Sequence, residues 1–520
     1  KGDPPVDAAG TISYKSRMRD RRICLALLIL VSAMVVGVVA WTIGSRLSYP
    51  FELSKMEGGI VDHARRVARG EPLYPPPSAE FIPFLYAPLS HYAAGGLVAL
   101  GIDGFRAARL VSLTGFALAV GIGIWLVARG TTQAWLWAIV PVLVAARYFD
   151  VEGFYDQARP DNLMSGWFMV AVAALTLRRR AVLVPLFVVA ATLAFWTKQS
   201  ALVLLFALLA GYALMNWRTA VLCAVPAFGS IAISFPLYSW MNDGWPWIYT
   251  MEAPSYHSLD HGGVLRSLGT DLLGSFAIAS LAAGLGAASL LLTRARPGPA
   301  ASDLERTRFM VVAAAVAAGG FAIASRWQPI SVRNVLVVFA IASSVALPVV
   351  VAWGIEQLGS EERRRTAWNL GMLVFCAAIV GGIRNPASFL PNAEAVDQWR
   401  DIRSAAAAYG PPERVWFSLH GSAYGATAGD TMHLHSGALY DYVGGHFGEQ
   451  TGFPMPEDFV QRIERQYYDA ILVADWDDRL EVLIGEHYAP DPDGATIRIP
   501  AYSGYASARE RFWIPRREGA

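Results

Sequence analysis

Cysteine is scarce. The chain holds three in 520 residues, Cys24, Cys223 and Cys376, each inside an apolar run and none in a CxxC or Cys/His cluster. That excludes a disulfide framework and a cysteine-based zinc site, and leaves packing as the role of each. Charge is scarce as well: 16% of residues are charged, against roughly 25% in soluble domains. Hydrophobic residues make up 54%, and the mean hydropathy is +0.36, which argues against a soluble enzyme. Neither sign is in excess, because 43 Lys and Arg against 42 Asp and Glu give a formal charge of +1. No surplus exists to hold a nucleic-acid backbone by counterion release, so nucleic acid is excluded as a partner. The glycines of EGG and HGG match no P-loop, nothing resembles GxGxxG before a helix, and no repeat recurs at a fixed period. The linker-like RARPGPAASD at 294–303 is the single low-complexity tract.

What is present is a series of long apolar runs. Residues 1–22 form a polar, basic leader with Lys15, Arg17, Arg19, Arg21 and Arg22, expected to be cytoplasmic and disordered. The run from Ile23 to about Gly44 is long enough to cross a bilayer core at about 20 residues per helix. It lacks the short apolar core and small-residue cleavage site of a signal peptide, so it reads as an anchor. Further runs at 108–128, 132–147, 162–177, 181–197, 199–216, 219–240, 270–293, 308–325, 334–355 and 367–383 bring the expectation to about 11 spans. The basic clusters at Arg129, Arg178 to Arg180, Arg218, Arg294 with Arg296, and Arg363 to Arg365 all fall on one side if the chain starts inside, as the positive-inside rule requires. The stretch 88–101 is too short for this series and reads as an interfacial or re-entrant helix.

This topology predicts a transmembrane domain over 23–384, with outer loops 45–107 and 148–161, and an extracytoplasmic domain over 385–520. The tail reads as a small α/β domain, with helices near 395–409, 457–467 and 478–488 and strands near 414–419, 470–474 and 496–499. The expected fold class is therefore a polytopic α-helical membrane protein with a C-terminal soluble α/β domain, set in a bacterial inner membrane.

Acidic residues gather on the outer loops: Glu52, Glu57, Asp62 and Glu71 on the first, Asp150, Glu152, Asp156 and Asp161 on the second. Asp161 abuts the start of a span, where a carboxylate without a partner is costly to desolvate. Outside the membrane there is no ATP or nucleotide sugar, so a transferase there needs a donor already activated in the bilayer. A polyprenyl-phosphate sugar fits. Its phosphate leaves readily, which reduces the protein's task to a carboxylate that deprotonates an acceptor hydroxyl and cations that hold the phosphate. Lys198 in FWTKQSAL, Arg326 and Arg333 in SRWQPISVRN, and Arg159 are the candidate cations, each read alternatively as snorkelling at a span end.

The ordered set MEGGIVDHARRVARGEPLY, FLYAPLSHYAAG, GFRAARLVSL, ARPDNL and TKQSAL resembles the GT-C superfamily of polyprenyl-phosphate-sugar-dependent glycosyltransferases, the class that includes protein O-mannosyltransferases and the lipid A aminoarabinose transferase. The resemblance covers about residues 20–200. It implies a GT-C-like fold, an acidic base in the first outer loop at Glu57, and matches at Asp161 and Lys198. Asp156 is expected to shape the cleft, with Asp62 and Tyr86 beside it on the substrate side. The family often has two adjacent acids in the first loop; here Met56 precedes Glu57. No cofactor is implied with certainty, and a divalent metal stays open against that missing pair. The expected partners are a polyprenyl-phosphate-linked sugar, an envelope glycan, lipid or protein acceptor, and the bilayer.

His433 and His435 form an HxH without an evident third ligand, which favours an incidental pair over a metal site. His257 and His261 lie beside Pro254 and two glycines, so a helical metal pair is not expected, and His257 is assigned to a loop lining the acceptor cleft. Trp245, Trp247, Tyr249 and Tyr256 suit either sugar stacking or an interfacial aromatic belt. Two readings compete with the enzyme. A secondary transporter would carry ionisable residues at mid-membrane and two related halves, and neither is visible; a non-catalytic scaffold displaying the tail would make the loop carboxylates incidental.

Overall fold

The computed structural model describes residues 8–257, 261–292, 298, 301–328, 332–419, 432–444, 452–474, 478–494, 496–503 and 509–516. The first helix, α1 (Ala8–Leu47), is already helical inside the leader that the sequence led us to expect as disordered. Its apolar residues cover nearly the whole circumference, and Leu25, Leu27, Ile29 and Leu30 are exposed. A helix apolar all round is suited to lipid, where such exposure carries no cost.

Among the described residues, six helical segments are long and apolar enough to cross a membrane: Leu25–Leu47, Gly104–Gly130, Arg180–Thr197, Ala201–Trp240, Asp303–Ser325 and Arg333–Glu356. A seventh exists if His261–Ser275 and Ala277–Ser289, bent by 97° against each other, form one span. The expected eleven differ from this for physical reasons. Helix α8 (Ala201–Trp240) has 40 residues, about 60 Å at 1.5 Å per residue, twice the bilayer core. It breaks at Asn216 (φ −154°, ψ 81°), whose side chain accepts from Thr219 N at 3.2 Å and so caps a second helix, consistent with two runs at 199–216 and 219–240. The run 132–147 is a 3₁₀ turn followed by α5 (Val140–Ala146), short for a span. Helix α6 (Asp161–Thr176) has 16 residues. Helix α14 (Glu361–Val380) opens with five charged residues, Glu361 to Arg365, which lowers its hydropathy.

Between them run α4 (Gly104–Gly130), α7 (Arg180–Thr197), the one-turn α9 (Trp245–Trp247), α10 (His261–Arg266), α11 (Ala277–Leu292), α12 (Asp303–Ser325) and α13 (Val337–Glu356). Helices α4, α6, α12 and α13 supply much of one large apolar core. The first outer loop carries α2 (Glu57–Ala68) and α3 (Leu89–Ala99), the latter where a short interfacial helix was expected.

The tail holds α15 (Ala393–Ala407) and a five-stranded sheet. Strands β1 (Val415–Phe417) and β2 (Ala470–Ala474) pair in parallel, as their connection through helices 436–442 and 457–464 permits. Strand β5 (Arg509–Pro515) pairs antiparallel with β2, with β3 (Tyr488–Pro490) and with β4 (Ile497–Arg498). β5 escaped the sequence reading because Arg509, Glu510 and Arg511 hide its alternation. The tail domain is built around the first outer loop: Phe51 stacks on the fully buried Trp399 at 5.5 Å, and Tyr49, Phe51 and Leu53 share its core.

Candidate functional site

Glu57 opens α2, the N-terminal position that favours an acid. It is fully buried. Arg109 of α4 reaches it with two donors, Nη2 to Oε2 at 2.6 Å and Nε to Oε1 at 3.2 Å, and the backbone N–H groups of Leu53 and Ala158 each donate at 2.8 Å. Arg109 also donates to the carbonyls of Arg46, Tyr49 and Phe51. Burial pushes the Glu57 carboxyl up, but the Arg109 guanidinium and the hydrogen bonds outweigh it and hold the carboxyl below its ordinary range. A buried carboxylate with both oxygens committed and its proton affinity lowered is a poor general base. These contacts tie the first loop to the turn at Ala158 and favour a structural role for Glu57 over the expected one of general base.

Asp156 is also committed to a buried arginine. It is buried against Arg46 Nε at 2.7 Å, and Tyr148 Oη donates to it at 3.1 Å. Arg46 further donates to the carbonyls of Gly153, Phe389 and Tyr502 and to Ser503 Oγ. Asp156 therefore anchors the arginine that ties the end of α1 to the tail domain.

The segment ARPDNL is organised from both sides. Ala158 is held by Glu57. Asn162 donates to Ser112 Oγ and to the carbonyls of Phe154 and Tyr155. Behind it α6 meets α4 without intervening side chains, since a Cβ on Gly115 would lie 2.3 Å from Leu163 Cα. This fixes Asp161 at the first turn of α6. Lys198 follows the last residue of α7 in extended backbone (φ −155°, ψ 119°). Its Nζ lies 2.7 Å from Asp161 Oδ1, which also accepts from Asn334 Nδ2 at 3.1 Å. Asp161 Oδ2 is buried and has no hydrogen-bond partner among the described residues. Tyr86 presents its ring 5.4 Å from Lys198 Nζ, and Gln199 Nε2 ties the carbonyls of Leu85 and Thr250.

Arg159 sits two residues before Asp161 and is 8% exposed. Its guanidinium lies over the Phe154 ring at 5.2 Å, its Nε has no hydrogen-bond partner, and no carboxylate among the described residues stands within 4.0 Å. The other two cations are neutralised. Arg326 pairs with Asp271 at 2.9 Å, and Arg333 lies 3.6 Å from Glu152 and 3.7 Å from Asp271 while donating to the Asp150 carbonyl. Asp62 is buried 3.6 Å from Arg65. His257 Nε2 contacts the Asp441 carbonyl at 3.0 Å, linking its loop to the tail domain. His435 Nε2 contacts the Lys55 carbonyl at 2.8 Å, and burial pushes His433 down to about 4.

The structure thus brings Asp161, Lys198 and Tyr86 together, with Arg159 two residues before Asp161 in the chain, and ties Glu57 to the turn that leads into them. Asn334, Arg109 and Asp271 were not singled out from the sequence. Arg109 lies in the quoted GFRAARL, where alternation with Arg106 gave no sign of which arginine turns inward; Asn334 directly follows the noticed Arg333. Among the described residues no group of three or more His, Cys, Asp or Glu is placed to hold a metal ion.

No protein-family model and no curated protein matches this sequence. Solved structures do. Crystal structures of ArnT from Cupriavidus metallidurans, one bound to undecaprenyl phosphate and one in the apo state, align with TM-scores of 0.56, at 14% and 15% identity. They cover 95% and 96% of this chain, and 98% of that chain in each case. The likeness is one of fold: the chain has the GT-C fold, a polytopic helical domain followed by a small sheet-containing tail.

Proposed function

We propose that this GT-C-fold chain is a glycosyltransferase that moves a sugar from a polyprenyl-phosphate donor to an acceptor hydroxyl at the extracytoplasmic face of a bacterial inner membrane. The observation that carries the reading is Arg159, a buried arginine with no acid partner among the described residues, two positions before a carboxylate with one uncommitted oxygen. A buried cation left without a counter-charge is costly, and a phosphate supplies that charge. One of the ArnT crystal structures is bound to undecaprenyl phosphate, a ligand of this class.

In this reading Arg159 holds the donor phosphate, with Lys198 beside it. The acceptor oxygen attacks the anomeric carbon as the bond from that carbon to the phosphate oxygen breaks. The acceptor proton passes to Asp161 Oδ2, and polyprenyl phosphate leaves as the monoester. Lys198 and Asn334 hold Asp161 Oδ1 so that Oδ2 faces the reaction, and Glu57 positions the turn that bears both Arg159 and Asp161. No step is routed through a metal. Removing a positioned base costs a factor of about 10² to 10⁴ in rate. Asp161→Asn in purified protein, assayed against a panel of polyprenyl-phosphate sugars, should lose turnover on that scale while donor binding stays within about threefold. Turnover retained by Asp161→Asn removes it as the base. Mass spectrometry of envelope glycans from a deletion strain identifies the sugar and acceptor.

A further inference from the structure

A second set of charges meets at Asp150. Its carboxylate lies 2.9 Å from Arg147 Nη1 and 3.1 Å from Arg384 Nη2, and its carbonyl accepts from Arg333. Arg333 and Arg326 in turn face Glu152 and Asp271. Among the described residues, the two guanidiniums of Arg147 and Arg384 therefore stand against the single carboxylate of Asp150, one positive charge in surplus.

Arg147 and Arg384 line a cavity of about 310 Å³ between α5, α11, α13 and α14. It exists because the chain turns by 97° between Ser275 and Ala277, so that α11 departs from the line of the segment before it. Arg147 is fixed there by donating to the carbonyls of Ser275 and Ala378. Arg384 is half-exposed at the mouth. The interior combines apolar Leu143, Ile278 and Leu347 with the hydroxyls of Ser343 and Ser344. Both hydroxyls donate to backbone carbonyls of their own helix, at 2.6 Å each, so toward the cavity they can only accept. Beyond the mouth, Leu281 and Leu285 of α11 and Leu373 and Val380 of α14 are exposed apolar side chains.

We infer that this cavity seats the head group of an anionic phospholipid of the phosphatidylglycerol type, at a site separate from the Asp161 cluster. A phosphodiester carries one negative charge, which matches the surplus at Asp150. A glycerol head supplies hydroxyl donors to Ser343 and Ser344, which a phosphate alone does not. The acyl chains then lie against the apolar outer faces of α11 and α14. The same phosphate chemistry could arrive as a free anion, so the test separates the two.

The experiment is native mass spectrometry of the delipidated full-length protein with phosphatidylglycerol, phosphatidylcholine or inorganic phosphate added. The wild type should retain one phosphatidylglycerol, and phosphatidylcholine about tenfold less, as expected for one charge-assisted contact. Arg384→Ala and the cavity-filling Ser344→Leu should each reduce phosphatidylglycerol retention about tenfold, whereas Arg384→Lys and Arg159→Ala should keep it within about threefold. Using a charge variant and a filling variant, each confirmed monodisperse, guards against loss through misfolding of either. Equal retention in Arg384→Ala and Ser344→Leu overturns the site. Equal retention of the two lipids overturns the head-group assignment, and displacement of the lipid by millimolar inorganic phosphate overturns the amphiphile in favour of a free anion.

Discussion

Replacing the Glu57 carboxylate by an amide leaves Arg109 buried with its counter-charge gone, because that arginine is fully buried and pairs with no other acid among the described residues. Breaking a buried pair of this kind costs about 3 to 5 kcal/mol. Glu57→Gln should therefore lower the melting temperature and yield of the purified protein along with its turnover. A general base at Glu57 would instead lose turnover with an unchanged melting temperature, which is the outcome that sinks the structural assignment. At this scale the sequence was legible where charge met a span end: Asp161, Lys198 and Arg159 were all read from their places in ARPDNL and TKQSAL, and Lys198 does meet Asp161. It was not legible for Glu57, because the partner that commits its carboxylate lies 52 residues away on another helix. Position in a motif and availability of a lone pair are separate properties, and the second depends on tertiary contacts.

Two elements, α4 and α6, set the site. Their approach is backbone to backbone at Gly115, and a methyl group there meets the main chain of Leu163, two residues from Asp161. Gly115→Ala should displace the first turn of α6 and reduce turnover at least tenfold, by analogy with small misplacements of reacting groups. Gly121→Ala on the same helix meets nothing within 4 Å and is the control; equal effects of the two would refute this reading. A second element pair, α2 and α3, is joined by the stacked rings of His63 and His91, 4.5 Å apart. His63 is pushed from its ordinary 6.5 to about 4, by burial first and Arg66 second, opposed by its bond to the Gly59 carbonyl. His91 is pushed down by burial and by His63. Groups whose folded pKa is depressed favour the unfolded chain as protons are added, so the stability they permit is complete above about 6.5 and declines as pH falls toward about 4. The melting temperature should drop between pH 7 and pH 5, and the drop should shrink in His91→Phe, which keeps the stack without the proton. An identical pH profile in that variant would contradict the assignment. The helices and their apolar faces were readable from periodicity, but this stack was not, since nothing near His63 in sequence announces that residue 91 folds back over it.

At the scale of the whole molecule, the tail is docked onto the loop that carries α2 and α3 and not hung from the helical domain by a linker. Asp458 accepts from Ala79 N at 2.9 Å, Arg462 pairs with Glu80 at 3.2 Å, and Tyr502 N donates to the Leu53 carbonyl. Most of the tail's helices were legible from their periodicity; its dependence on loop residues 49–53 was not, because nothing in either segment announces a partner about 350 residues away. The arrangement predicts that Ser404→Cys in a cysteine-free background reacts with an impermeant probe on intact cells lacking an outer-membrane barrier, and that Thr366→Cys reacts only after permeabilisation. The reverse pattern would invert the topology. The central claim is that a polyprenyl phosphate is held by the buried, acid-free guanidinium of Arg159. Its most direct test is the affinity of the purified protein for undecaprenyl phosphate. Arg159→Ala should weaken binding by about 10- to 100-fold, the loss expected for one charge-assisted phosphate contact, while Arg400→Ala on the exposed face of α15 should leave it unchanged. Wild-type affinity in Arg159→Ala would contradict the account.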